Sequence, residues 1–176
     1  MPLLKNNTLI ADTWIHAGLE DQLPEAGDAI VPFARLLREF ESLSTRQGRI
    51  GVSFSNIDRA EALATFMPAI SLIVLPFPAF SDGRAFSIAR QIRGMNYRGE
   101  LRAAGNVLPD QLQFMLQVGF DAFDIGDRFS LEAWQKASRQ MSLAYQRGLF
   151  RRNSEAEVWT ERHTDAEPWA EQPYAG

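Results

Sequence analysis

A chain of 176 residues with a formal charge of −4 and interspersed acidic and basic side chains has the size of one domain that buries roughly two-thirds of its unfolded surface. Its charge pattern offers no footprint for nucleic acid or an anionic membrane. Cysteine is absent and histidine occurs only as His16 and His163, which removes disulfides, thiolate nucleophiles and cysteine-held iron–sulfur clusters and leaves little for a zinc site or a Ser–His triad.

Taken in chain order, residues 1–11 hold no apolar run behind basic residues, and no segment has the length of a membrane span, so the expected compartment is the cytoplasm. Residues 8–15 read as a first strand, weakened by Asp12, and residues 18–27 as a loop. Val31, Ala34, Leu37, Phe40 and Leu43 then recur at helical spacing, with Pro32 in the first turn. Residues 49–54 read as a strand. Ser55-Asn56-Ile57-Asp58 has the form of a capping box, and it opens an expected helix that buries Ile57, Ala60, Leu63, Ala64 and Met67 before Pro68 stops it.

Apolar residues 70–77 read as a buried strand, and Ala85, Ile88, Ala89 and Ile92 mark the helix after it. Residues 100–104 form a further strand, ended by Gly105-Asn106. Leu108, Leu112, Met115 and Leu116 give the next helical stripe, with Pro109 near its start and Gly119 at its end. Residues 120–125 are a strand, and Ser130 caps a final helix through Leu131, Trp134, Ala137, Met141 and Tyr145.

This alternation predicts an α/β fold whose parallel sheet is built from βα units, either curved like half of a (β/α)8 barrel or open and doubly wound. Polar Ser53, Arg102 and Asp124 within strands favour the curved form. Residues 1–150 make a single α/β domain. Residues 151–176 form a polar C-terminal tail that carries Trp159, Trp169 and Tyr174, either flexible or docked on this chain, a second copy or another protein.

Ligands of parallel α/β sheets sit beyond the carboxyl ends of the strands, where Asp82, Gly83, Arg84, Asn106 and Asp110 fall. Gly83 can take backbone angles that other residues resist. Arg84 and Arg102 offer planar forks suited to an oxyanion, and the helix start at Arg84 adds N–H groups. Each residue also has a structural role open to it. Asp82 caps a helix, Arg84 pairs with Asp110 or Asp121, and Arg102 and Glu100 form an ion pair with neighbours that pins strand order. No G-x-G-x-x-G or Walker loop is present, and Pro76-Phe77-Pro78-Ala79-Phe80 either walls a flat ring such as a flavin or makes a rigid connection.

Phe77-Pro78, Phe80, Asp82-Gly83-Arg84, Ser87, Ala89-Arg90, Tyr97-Arg98-Gly99-Glu100-Leu101-Arg102-Ala103, Gly105-Asn106-Val107-Leu108, Asp110-Gln111-Leu112 and Gly119-Phe120-Asp121-Ala122-Phe123 resemble an uncharacterised bacterial family. It is a domain-of-unknown-function family encoded beside assimilatory sulfite reductase and described as an oxidoreductase of sulfite reduction. The likeness spans residues 28–123. It departs at Asn106, where the family commonly carries an acidic residue, and at Pro109, where it commonly carries a basic one. The resemblance implies a pathway, sulfur assimilation, and brings no catalytic residues or known cofactor with it.

The expected function is that of an accessory protein of assimilatory sulfite reduction that binds a small oxyanion or the reductase itself. Arg84 and Arg102 would contact the anion, and Asp82 and Asp110 would position them. The alternative is an oxidoreductase using bound flavin or NAD(P). A third reading is a structural partner of the reductase acting through the aromatic tail.

Overall fold

The computed structural model describes residues 2–126 and 128–139. Eight strands form one sheet: β1 (Pro2–Lys5), β2 (Thr8–Ala11), β3 (Ile15–His16), β4 (Ala29–Pro32), β5 (Ile50–Ser53), β6 (Ile70–Phe77), β7 (Glu100–Gly105) and β8 (Ala122–Asp124). Their order is β2-β1-β8-β7-β6-β5-β4-β3. From β3 to β8 each strand runs parallel beside the next in sequence, while β1 lies antiparallel to both β8 and β2.

Among the described residues four α-helices accompany the sheet: α1 (Phe33–Thr45), α2 (Arg84–Gly94), α3 (Leu112–Val118) and α4 (Leu131–Arg139). A strand order that never reverses sends successive crossovers to the same side. The main core accordingly lies on one face of the sheet, where Val52, Ile73, Leu75, Phe77, Leu101 and Ala103 meet Leu36, Ala85, Ala89, Ile92 and Trp134. Ile30, Leu72 and Val74 occupy the opposite face, under Trp14 and Ala104.

The curl of the sheet follows from chain length. β2 and β3 lie at opposite edges, yet only residues 12–14 join them. Those links span at most about 14 Å, whereas the edges of a flat eight-stranded sheet would stand about 34 Å apart at the usual strand spacing. The sheet is therefore a half-barrel, and residues 12–14 form a strap across its concave face. Of the two architectures open from sequence, the curved one is present.

Several elements differ from their sequence reading. The first strand is split by the strap into β2 and β3, and β1 precedes it. Val31 belongs to β4, and Leu37 is 53% exposed. The helix expected over residues 57–67 is replaced by two 3₁₀ turns, Ala60–Leu63 and Met67–Ala69, with Ile57 81% exposed. The physical reason lies at Ser55. A capping box needs its hydroxyl on the Asp58 N–H. Instead the Ser55 Oγ accepts the Ile57 N–H at 3.4 Å, and Asp58 N–H donates to the Ser55 carbonyl at 3.3 Å.

Other signals are realised locally. Ser130 Oγ accepts the Ala133 N–H at 3.3 Å at the start of α4, and Gly119 ends α3 in the left-handed region at φ 107°. Met141, Tyr145 and the aromatic tail lie outside the described residues. Among the described residues no helix is long and apolar enough to cross a membrane.

The turn into β7 is tightly filled. The Tyr97 hydroxyl packs directly over the Cα of Gly99, and a Cβ there would also meet the Ser71 carbonyl at 2.8 Å. Gly99→Ala is expected to cost about 1–3 kcal/mol through overpacking, read from the shift of the urea unfolding midpoint.

Candidate functional site

Where β6 ends, the chain turns through residues 78–83 into α2. The Asp82 carboxylate organises this turn. Its Oδ1 accepts the Arg84 N–H at 3.1 Å and Nε at 2.9 Å, and its Oδ2 accepts Nη2 at 2.7 Å. The Arg84 guanidinium holds the Asp82 carboxyl well below the usual carboxylate range, and the carboxylate in turn raises the arginine. Asp82 therefore both caps the turn and fixes the fork of Arg84, whose side chain stays 57% exposed. Gly83 has φ −78° and open space at its Cβ position, so its backbone is ordinary and makes no demand for glycine.

Beside Arg84 opens a hollow of about 350 Å³, walled by Asn56, Asp58, Arg59, Glu61, Arg84 and Ser87. Its far wall comes from the segment after β5, so two neighbouring strand ends build it. Asn56 and Arg59 escaped the sequence reading because residues 55–58 resemble a helix cap. Their place just beyond a strand's carboxyl end was the signal that could have found them. Asn56 Nδ2 donates to the Pro76 carbonyl at 2.8 Å and to Asp82 Oδ2 at 3.4 Å. Its Oδ1 is buried with no partner.

Asn106 and Asp110 belong to the next connection and do not line the hollow. Asn106 Nδ2 donates to the Pro78 carbonyl at 2.7 Å, and Gln111 Nε2 to the Phe80 carbonyl at 2.9 Å. These bonds pin the turn that carries Asp82. Asp110 is exposed in the 3₁₀ turn Pro109–Gln111. Of the aromatic run, Phe77 is buried in the core and Phe80 is 59% exposed.

Arg102 stands apart from Arg84, on the concave face beneath the strap. Only 2% exposed, it donates Nη1 to Asp12 Oδ2 at 2.9 Å and Nη2 to Glu100 Oε1 at 3.0 Å. Glu100 also accepts Lys5 Nζ at 2.6 Å, and Asp12 holds His16 Nε2 at 3.0 Å. Burial pulls the Asp12 carboxyl upward, but His16, the Trp14 N–H and Arg102 bring it below its ordinary value. The stability this supplies is present above the ordinary carboxylate pKa and is lost as pH falls through the lowered one. Trp14 lies against Gly51, with the Arg49 guanidinium 5.0 Å from its ring centroid.

Asp124 borders this network without joining it. Its Oδ1 is buried and unpartnered, and burial raises its pKa. A raised carboxyl stabilises the fold only while protonated, and that contribution is lost as pH rises through the folded value. Asp124→Asn should therefore raise the melting temperature at neutral pH and give no gain in acid below the ordinary carboxylate range.

A larger cavity of about 900 Å³ lies at the opposite ends of the strands, among Leu4, Leu116, Phe120, Phe123, Asn96 and Tyr97. Its strongest polar groups are committed to the fold: Arg93 binds Asp121 and the carbonyls of Tyr97, Gly99 and Gly119. The rim hollow differs in holding Arg59, which has no hydrogen-bond or ion-pair partner among the described residues. Among those residues no group of three or more acidic or histidine side chains could hold a metal.

No curated protein and no solved structure matches the chain. Residues 51–155 match a family described as bacterial protein of unknown function (DUF934). That segment runs from β5 through α4 and carries both walls of the rim hollow, and as it covers more than half of the chain, the protein belongs to that family.

Proposed function

We propose that the protein is an accessory component of assimilatory sulfite reduction that binds a small oxyanion, or a ligand bearing an anionic group, at the rim hollow. The observation that carries this reading is the meeting of Arg59, without a partner among the described residues, and the exposed and pre-oriented Arg84 on one hollow of about 350 Å³. Arginine forks suit planar and tetrahedral oxyanions. The link to sulfite reduction is supported by the resemblance in residues 77–123, a stretch that includes Asp82-Gly83-Arg84.

Arg102 has no part in this reading as an anion contact, because its guanidinium is spent on Asp12 and Glu100. In the test, sulfite, sulfate or phosphate raises the melting temperature of the wild type but not of Arg84→Ala. Equal responses of the two proteins would refute the reading.

A second reading, an oxidoreductase with bound flavin or NAD(P), draws on the exposed rings of Phe80 and Phe114, 59% and 53% accessible. Flavin or NAD(P) would then raise the melting temperature of the wild type and lose that effect in Phe80→Ala. A protein unmoved by either cofactor would count against it.

A further inference from the structure

An aromatic ladder climbs out of the core between α2 and α3. Phe77 is fully buried, its ring centroid stands 5.2 Å from that of Phe86, and Phe86 stands 4.9 Å from Phe114. Phe114 stays more than half exposed, as does Phe80, which the Gln111 bond to its carbonyl ties to the start of α3. Rings gathered along one groove present apolar surface that a covering partner would remove from water.

Charge marks the same groove. α2 carries Arg84, Arg90 and Arg93 and α3 has no charged residue, so the two helices hold no carboxylate. Arg90 lies one turn after Phe86 on the same flank of α2. It is exposed and has no hydrogen-bond or ion-pair partner among the described residues. The occupant that fits is therefore aromatic and acidic. Residues 153–176 of this chain are both: they hold Trp159, Trp169 and Tyr174, and they set six acidic side chains against Arg162 alone.

The place where α4 ends favours this segment over a foreign one. Gln113, the neighbour of Phe114, donates Nε2 to the carbonyls of Ala137 at 3.3 Å and Ser138 at 2.6 Å, so the last turn of α4 is fastened beside the groove. From there residues 140–152 span up to about 45 Å, against about 16 Å for the length of α2. A segment tethered so near meets the groove at an effective concentration on the order of millimolar, which a separate protein has to match from solution.

We infer that residues 153–176 dock on the α2–α3 groove of their own chain, with their aromatic rings on Phe86 and Phe114 and their carboxylates toward Arg90. The rim hollow stays open, because Arg84 and Ser87 face it from the other flank of α2.

The chain has no cysteine, so Ala166→Cys places a single nitroxide label between Trp159 and Trp169 of the full-length protein. In nitrogen-15 spectra the oxidised label should broaden the amides of Phe86, Arg90 and Phe114 well beyond those of α1, and reduction of the label should restore them. That loss of signal should shrink in Phe114→Ser and in Arg90→Glu, the second an exposed side chain whose replacement leaves the core untouched. Broadening that is absent, or that persists undiminished in Arg90→Glu, would overturn the proposal. A mixture of isotope-labelled protein without the nitroxide and unenriched protein carrying it should show no broadening. Its appearance there would give the groove to the tail of a second copy and overturn docking within one chain.

Discussion

Arg93→Met is expected to cost about 3–5 kcal/mol of folding stability, the range for breaking one side of a buried ion pair. The Arg93 side chain is 8% exposed and each of its nitrogens has work in the fold. Nε donates to the Gly119 carbonyl at 2.9 Å, Nη1 donates to the Tyr97 and Gly99 carbonyls at 2.9 Å each, and Nη2 meets the Asp121 carboxylate. Asp121 also accepts the Leu101 N–H at 2.9 Å. One guanidinium therefore ties the end of α2 to the start of β7, the cap of α3 and the entry to β8. Methionine keeps much of the volume but leaves the half-buried Asp121 carboxylate with the Leu101 N–H alone and takes their side-chain donor from three carbonyls. Arg93→Lys should recover little, since a compact ammonium cannot reproduce a planar fork. Urea unfolding reads both variants, and a loss below about 1 kcal/mol for Arg93→Met would show that water replaces these bonds.

Arg102→Met should be comparably costly, about 3–5 kcal/mol, because it removes the buried cation shared by Asp12 of the strap and Glu100 of β7. Its local signature is different. Without Arg102 the strap loses its bond to β7, while the backbone bonds from Ile15 N–H to Asp28 and from Ala17 N–H to Ile30, each 2.9 Å, remain as its far anchor. Amide exchange should quicken at Ile15 and Ala17 while the amides of β6 keep their protection relative to global stability. Adding Asp12→Asn to Arg102→Met should return part of the lost stability by removing one stranded charge, giving a coupling of about 0.5–3 kcal/mol. Strict additivity would mean that Asp12 and Arg102 do not act as a pair.

These two arginines show how far residue patterns reach. β6 and the stripe of α2 were legible because apolar runs and helical spacing report burial directly, and β7 and β8 followed from their turn residues. The curled sheet was legible less directly: polar Arg102 and Asp124 inside strands favoured it, but the strap that requires it rests on which strands are neighbours. β4 was hidden because its apolar residues run on into the stripe of α1, so Val31 counted equally well for a helix. The turns after β5 defeated the pattern because Ser55 closes a tight turn where the letters of a capping box stand.

The candidate site was legible in part. Asp82 and Arg84 were found from the strand-to-helix junction, and an ion-pair role was open to Arg102 without its partners Asp12 and Glu100 being named. That Arg102 faces the other side of the sheet follows from strand alternation, which sends Leu101 and Ala103 to the helix face and Arg102 to the concave one. Asn56 and Arg59 reach the hollow across strand order, a relation that no local window contains.

Whether the rim hollow beside α2 takes the ligand is decided by nitrogen-15 NMR of the full chain titrated with sulfite. Saturable shifts are expected at the Asn56 side-chain amide, the Nε–H groups of Arg59 and Arg84 and the Ser87 amide. Shifts confined to the strap, or to Asn96 and Tyr97 at the larger cavity, with the hollow silent, would contradict it.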